Sequence, residues 1–198
     1  MSGSRSKRLD RRAAVTELLC DRGALLVVSG LGGTTWDLAS AGDHDLNFYL
    51  WGGMGSAVPM GLGLALAQPR RRVLVITGDG EMLMGLGALA TVAVQAPANL
   101  AIAVIDNERY GETGDQRTHT ALGSDLAAIA RAAGIPDAVT LVDGAGLATF
   151  RYKLHAAQGP IVAVVKVAQE NAGMVLPPRD GVHLRQRFRR CLLGDKAG

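Results

Sequence analysis

The sequence predicts an α/β fold: a single doubly wound domain with a mainly parallel sheet and helices on both faces. Two patterns predict it. Segments such as Val73–Thr77 and Leu100–Ile105 are apolar throughout instead of alternating, as strands buried on both faces must be. Helical stretches of ~10–15 residues separate these strands, which is the rhythm of βα units. The size agrees, since 198 residues with 48% apolar and 20% charged side chains suit one domain.

Taken in order, residues 6–22 read as a helix ending at Gly23, with Val15, Leu18 and Leu19 on one face. Leu25–Ser29 is a short buried strand, and Gly30-Leu31-Gly32-Gly33 is a loop opening a brief helix at 34–39. Residues 41–53 read as a polar loop, and 55–68 as a helix of small residues stopped by Pro69. Val73–Thr77 is an interior strand, followed by a turn at Gly78-Asp79-Gly80, a helix at 86–95 and a strand at 100–105. A polar stretch, 107–124, leads to helix 125–133, strand 138–142, helix 145–157 and strand 161–167. Pro177-Pro178 breaks the chain before a basic helix at about 181–193. The expected organisation is a basic extension over 1–12, the domain over 13–170 and a C-terminal extension with the basic helix over 171–198.

Composition excludes several classes. The 26 glycines follow no three-residue period, so the chain is not collagen-like, and a net charge of +3 with this hydrophobicity argues against disorder. No apolar run approaches the ~18 residues of a membrane span. Cys20 and Cys191 stand far apart without metal-ligand spacing, and the basic N-terminus lacks an apolar segment after it, so a cytoplasmic protein is expected. The basic charge sits at the ends: residues 13–178 carry ten basic and fifteen acidic side chains. No aromatic-interleaved basic face accompanies the termini, so nucleic-acid binding is not expected, and the basic ends read as solvated tails or contacts to an acidic partner chain.

Open parallel sheets bind ligands beyond the carboxyl ends of their strands. Two polar clusters fall there: Gly78-Asp79-Gly80 and Asp106-Asn107-Glu108-Arg109-Tyr110-Gly111. Asp79 and Asn107 lie 28 positions apart, one helix plus one strand, so adjacent strands would bring both to one rim. The flanking glycines let backbone N–H groups approach an anion, but a carboxylate between them repels phosphate. A divalent cation resolves the conflict, because Asp79 and Asn107 are hard oxygen donors that it can bridge to phosphate.

These residues resemble the thiamine-diphosphate-dependent enzymes, whose signature is GDG followed about two dozen residues later by asparagine. Trp51-Gly52-Gly53-Met54-Gly55 resembles the stretch that cradles the aminopyrimidine ring in that family. The similarity covers about residues 10–170 and is greatest to the diphosphate-binding half of the sulfopyruvate and phosphonopyruvate decarboxylases, where Asp-Asn-Glu-x-Tyr-Gly-x-Thr-Gly recurs, here at 106–114. The resemblance implies a C-terminal-type diphosphate-binding domain, with thiamine diphosphate and Mg²⁺ as cofactors. It implies that the Asp79 carboxylate, the Asn107 amide oxygen and the Arg109 backbone carbonyl bind the metal. It also implies a cofactor site comprising Gly52, Gly53, Met54, Gly78, Asp79, Gly80, Glu81, Asn107, Tyr110, Gly111 and Glu112, with Met54 wedged beneath the cofactor. Two positions depart from the pattern: Glu81 stands where many relatives carry a small residue, and Asp115 where a glycine is expected.

The family also needs a glutamate against the pyrimidine N1′, and that residue belongs to a second domain for which this chain has no room. Glu17 is the only early glutamate and falls on a solvated helix position. The resemblance therefore implies a pyrimidine-binding α subunit, in an α2β2 or larger heteromer, and decarboxylation of a small 2-oxo acid to an aldehyde and CO₂. Arg117 and His119, on the polar stretch, are candidates to meet an anionic substrate tail. Two alternatives remain at this point. A dinucleotide-binding oxidoreductase would use Gly78-x-Gly80, although Leu83 occupies the third glycine position; a regulatory subunit would keep the fold without turnover.

Overall fold

The computed structural model describes residues 8–169 and 172–194. It contains a six-stranded parallel sheet built from β1 (Leu26–Ser29), β2 (Asn47–Tyr49), β3 (Val73–Gly78), β4 (Leu100–Asp106), β7 (Ala138–Leu141) and β8 (Ile161–Lys166), in the order β2-β1-β3-β4-β8-β7. A two-residue antiparallel ribbon, β5 (Arg109–Tyr110) with β6 (Gln116–Arg117), lies apart from it.

Alternate residues of each central strand face opposite layers. Leu74 and Ile76 of β3, with Ala101, Ala103 and Ile105 of β4, pack with Val15 and Leu18 of α1 (Arg11–Leu18), Leu38 of α2 (Gly33–Ser40) and Phe150 of α7 (Gly144–Ala156). Val73 and Val75, with Leu100, Ile102 and Val104, pack against α3 (Ala57–Ala67), Met82 of α4 (Asp79–Met84), Leu89 and Val92 of α5 (Ala88–Gln95), and α6 (Leu126–Ala132). This two-sided burial is why the strands carry no alternation.

Several elements differ from the sequence reading. The loop expected over 41–53 contains β2, which hydrogen-bonds along β1 in parallel register (Val28 opposite Phe48). The turn expected at Gly78-Asp79-Gly80 is instead the start of α4: Gly78 is extended, with φ −85° and ψ 161°, and the helix begins at Asp79. The polar stretch 107–124 folds into the β5–β6 ribbon and a 3₁₀ turn at His119–Leu122.

Both basic ends join the fold within the described residues. Leu9 bridges to Val167, and Arg11, read as part of a solvated extension, is buried against Asp37. Helix α8 (Gly181–Leu193) covers the edge strand β2. Phe188 meets Phe48 edge to face with ring centroids 5.6 Å apart, and Arg187 holds Asp43 through two hydrogen bonds of 2.6 and 3.1 Å. Covering that edge removes an exposed strand from solvent.

Candidate active site

The chain leaves β1 towards β2 on one side and continues with β3 on the other, so the topological switch falls between β1 and β3. A cleft opens at that point. Its lining comes from three strand ends: Leu31, Gly33 and Thr34 after β1; Gly78 to Glu81 after β3; Asn107 and Arg109 to Thr113 after β4. Met54 and Arg11 complete much of the rest. The cleft encloses about 100 Å³, against several hundred for a site that buries a cofactor-sized ligand unaided.

Asp79 is 1% exposed and sits where β3 passes into α4. Gly78 pairs with Ile105, so Asp79 and Asp106 leave adjacent strands at the same level. The Thr118 hydroxyl donates to Asp79 Oδ2, and the Thr120 hydroxyl lies 3.2 Å from that oxygen and 2.8 Å from Asp106 Oδ1. Lys166 Nζ donates to Asp106 Oδ2 at 2.8 Å and to Glu108 Oε1 at 2.9 Å. Asp106 thus has a cationic partner, whereas among the described residues Asp79 makes no ion pair. Burial, reinforced by the Asp106 charge, raises the Asp79 carboxyl to about 6 in spite of the hydroxyl hydrogen bonds.

Asn107 lines the same cleft, and its Oδ1 accepts the Arg109 backbone N–H at 3.0 Å, which shapes the turn into β5. The carboxylate and the amide oxygen are the donor types a hard divalent cation takes. No group of three His, Cys, Asp or Glu side chains is placed to hold a metal among the described residues, so a cation here would need backbone and ligand oxygens as well.

The glycines of the cleft have two separate functions. A Cβ on Gly80 would stand 2.4 Å from the Tyr110 ring, so Gly80 is the surface on which that ring packs. A Cβ on Gly78 or Gly111 would meet nothing within 4 Å, leaving backbone open to a ligand. Met54 is half-buried in the lining, while Gly52 and Gly53 are exposed and outside it. Gly55 abuts Gly85, whose Cβ would fall 2.3 Å from the Gly55 carbonyl oxygen, so the 52–55 segment is clamped to the end of α4.

Glu81 turns back into the protein. It is 4% exposed, its Oε2 accepts the Thr77 hydroxyl at 3.0 Å, and it fills the space over Gly30. Burial raises its pKa, partly offset by that hydroxyl and by the backbone at Ala57, Gly55 and Leu31. Glu112 overlies Gly32. Arg117 and His119 are exposed and lie outside the lining, with Arg117 donating to the Ala121 carbonyl. Arg109 lines the cleft, and its guanidinium donates to the Asp115 carbonyl at 3.0 Å.

Sequence reasoning missed Thr118, Thr120 and the Gly30–Thr34 segment. The glycine run after a strand was the available signal for the last; the two threonines reach Asp79 only through the fold of the β5–β6 ribbon.

The chain is similar to known proteins in both sequence and fold. Residues 34–176 match the family model described as thiamine pyrophosphate enzyme, C-terminal TPP binding domain. The chain is 38% identical over 182 residues to sulfopyruvate decarboxylase subunit beta of Methanothermobacter thermautotrophicus, covering 92% of this chain and 93% of that protein. It is 47% identical over 125 residues to phosphonopyruvate decarboxylase of Streptomyces hygroscopicus, covering 63% of this chain and 31% of the other. In fold it resembles benzoylformate decarboxylase of Polynucleobacter necessarius, with a TM-score of 0.72 at 20% identity over 86% of this chain and 36% of the other. The dinucleotide-binding alternative is set aside by the family match. The chain belongs to the thiamine pyrophosphate enzymes, as a C-terminal TPP-binding domain.

Proposed function

We propose that the chain is the diphosphate-binding subunit of a heteromeric decarboxylase that acts on an anionic 3-substituted pyruvate, sulfopyruvate or phosphonopyruvate, giving an aldehyde and CO₂. The observation that carries this reading is the pairing of β3 with β4, which sets the buried Asp79 carboxylate and Asn107 in one cleft. A buried carboxylate without a cationic partner fits a site for a cation, and its donors fit Mg²⁺. The Asp79 carboxylate, the Asn107 amide oxygen and the Arg109 backbone carbonyl would hold the ion against the cofactor's diphosphate.

Thiamine diphosphate, when bound, supplies the carbon nucleophile and the electron sink for loss of CO₂. This chain's own residues bind and orient it. Thr118 and Thr120 fix the Asp79 carboxylate from behind, so it meets a cation without rearranging. Gly78 and Gly111 leave backbone open to the diphosphate, and Tyr110 against Gly80 sets the spacing between the two strand ends. Met54, unbranched and polarizable, suits packing against the bend of a two-ring ligand. Leu31 and Ile105 add apolar wall that excludes water.

The carboxylate needed at the pyrimidine ring is assigned to another polypeptide. Glu17 lies on α1 and pairs with Arg151 at 3.2 Å; Glu81 faces Thr77, and Glu112 overlies Gly32. A relative named as subunit beta supports the same division, and the assembly in this reading is an α2β2 or larger heteromer. Calorimetry of thiamine diphosphate binding to the complex with the pyrimidine-binding subunit, with and without Mg²⁺, tests the assignment. Asp79→Ala abolishes the Mg²⁺-dependent component; unchanged affinity in that variant contradicts the metal site.

A further inference from the structure

Arg11 is a basic side chain of the cleft that the mechanism leaves unused. It is 8% exposed, lies in the first turn of α1 and lines the cleft beside Gly33. Its Nη1 is 2.8 Å from where a Gly33 Cβ would stand, so glycine there makes room for the guanidinium. Arg11 Nε faces Asp37 Oδ2 at 2.5 Å, and Arg12 Nε lies 3.5 Å from Oδ1 of the same fully buried carboxylate. Among the described residues, neither arginine is within ion-pair distance of a second acid. Two guanidinium groups thus share one carboxylate, and the cluster holds one positive charge in excess.

Among the described residues Arg11 Nη2 is buried without a hydrogen-bond partner, as are Arg11 Nε, Arg12 Nε and both Asp37 oxygens, an expensive state for charged groups. A second, independent feature stands at the same wall. Helix α2 is eight residues long, and its N-cap, Gly32 at φ +73°, makes no side-chain capping bond. Its first N–H groups are therefore unmatched by a cap and carry the positive end of the helix dipole. Glu112, exposed at the cleft mouth, already lays a carboxylate over Gly32.

We propose that Arg11, together with the start of α2, binds the terminal phosphate of the cofactor's diphosphate; this rests on the cofactor reading of the cleft given above. A phosphate oxygen pair matches the guanidinium fork, and the excess charge of the Arg11–Arg12–Asp37 cluster neutralises part of the dianion. Ser29 of β1 pairs with Ile76 of β3, so the loop before α2 and the Asp79 turn leave neighbouring strands. Asp79 acts on the diphosphate through a cation, and Arg11 acts on it directly.

The test is calorimetry on the chain co-purified with its pyrimidine-binding subunit, with Mg²⁺ and, in turn, thiamine diphosphate, inorganic pyrophosphate and thiamine monophosphate, for wild type and R11M, R11K, D37N and D79A. R11M weakens binding of thiamine diphosphate and pyrophosphate about 10- to 100-fold, the range of a lost charged hydrogen bond, and changes thiamine monophosphate less than about twofold. R11K falls between, because a point charge replaces a fork. D37N keeps wild-type affinity or binds tighter, since Arg11 remains and loses its competitor. Equal weakening in R11M and D37N means that Arg11 only braces α2, and overturns the proposal. If R11M does not fold by circular dichroism, R11K and D37N decide the same question. Loss of binding in D79A with R11M unchanged overturns the Arg11 assignment alone; no binding by wild type overturns the cofactor reading with it.

Discussion

Asp79 and Asp106, at the ends of neighbouring strands, share the hydroxyl of Thr120, which lies 3.2 Å from the first carboxylate and 2.8 Å from the second. The Thr118 hydroxyl donates to Asp79 as well, but only Asp106 has a lysine beside it, Lys166. The folded chain therefore holds Asp79 under electrostatic stress that a bound cation relieves.

That stress predicts a trade between stability and function. The Asp79 carboxyl is raised to about 6 from an ordinary 3.8. A raised acid pKa means that the folded state binds the proton more tightly than the unfolded state does. Ionisation therefore costs nothing below the unfolded value and costs its full amount above the folded one. Asp79→Asn raises the stability of the metal-free chain at pH 7.5 by of order 1–3 kcal/mol. The gain fades as pH falls from about 6 towards 4. Thermal melts of both proteins across that window check it, and the same variant loses Mg²⁺-dependent cofactor binding.

The packing of Tyr110 on Gly80 gives a second expectation. A Cβ at position 80 would stand 2.4 Å from Tyr110 Cε1, so Gly80→Ala must push the ring or the start of α4. The cost is about 1–3 kcal/mol in a denaturation series. Tyr110→Leu added to Gly80→Ala recovers part of it, because the clash is with the ring and not with backbone.

Helix α8 is held to the sheet edge by an ion pair that titrates. Burial alone would raise Asp43, but hydrogen bonds from Arg187 and Tyr49, with the Arg187 charge, outweigh it and hold its pKa below the ordinary value. The stabilisation is present above the usual aspartate range and disappears as pH falls through the depressed value. Hydrogen exchange of residues 181–193 is slow at pH 7, and Asp43→Asn speeds it. Phe188→Ala, which empties the contact with Phe48, costs about 3 kcal/mol in docking of this helix.

Asp115 stands where the family pattern has glycine, and its φ of +60° places it in the left-handed region. Asp115→Gly relieves a backbone preference and raises stability by a few tenths to about 1 kcal/mol, read as a higher melting temperature. Cofactor affinity stays unchanged, since the Asp115 carboxylate meets Arg109 only at 3.8 Å and the backbone carbonyl to which Arg109 donates is kept in the variant.

The sequence made the sheet legible because central strands buried on both faces carry uninterrupted apolar runs, as Val73–Thr77 and Leu100–Ile105 do. Asp79 and Asn107 were legible because each directly follows such a strand or lies one residue beyond its end, and strand ends define the ligand crevice. Strand β2 was not, being three residues long and set at an edge, where Asn47 and a mixed pattern read as loop. Arg11 was misread since charge in a basic run says nothing about burial; only the fold brings Asp37 to it. Thr118 and Thr120 carry no local signal at all, as their value lies in contacts spanning 39 and 41 positions.

The division of the active site between two polypeptides is tested most directly by CO₂ release. The purified chain is supplied with thiamine diphosphate, Mg²⁺ and sulfopyruvate or phosphonopyruvate, alone and then with a pyrimidine-binding subunit co-purified with it. The account predicts no release above background from the chain alone and sustained turnover from the complex. Turnover by the chain alone at a rate matching the complex would contradict it.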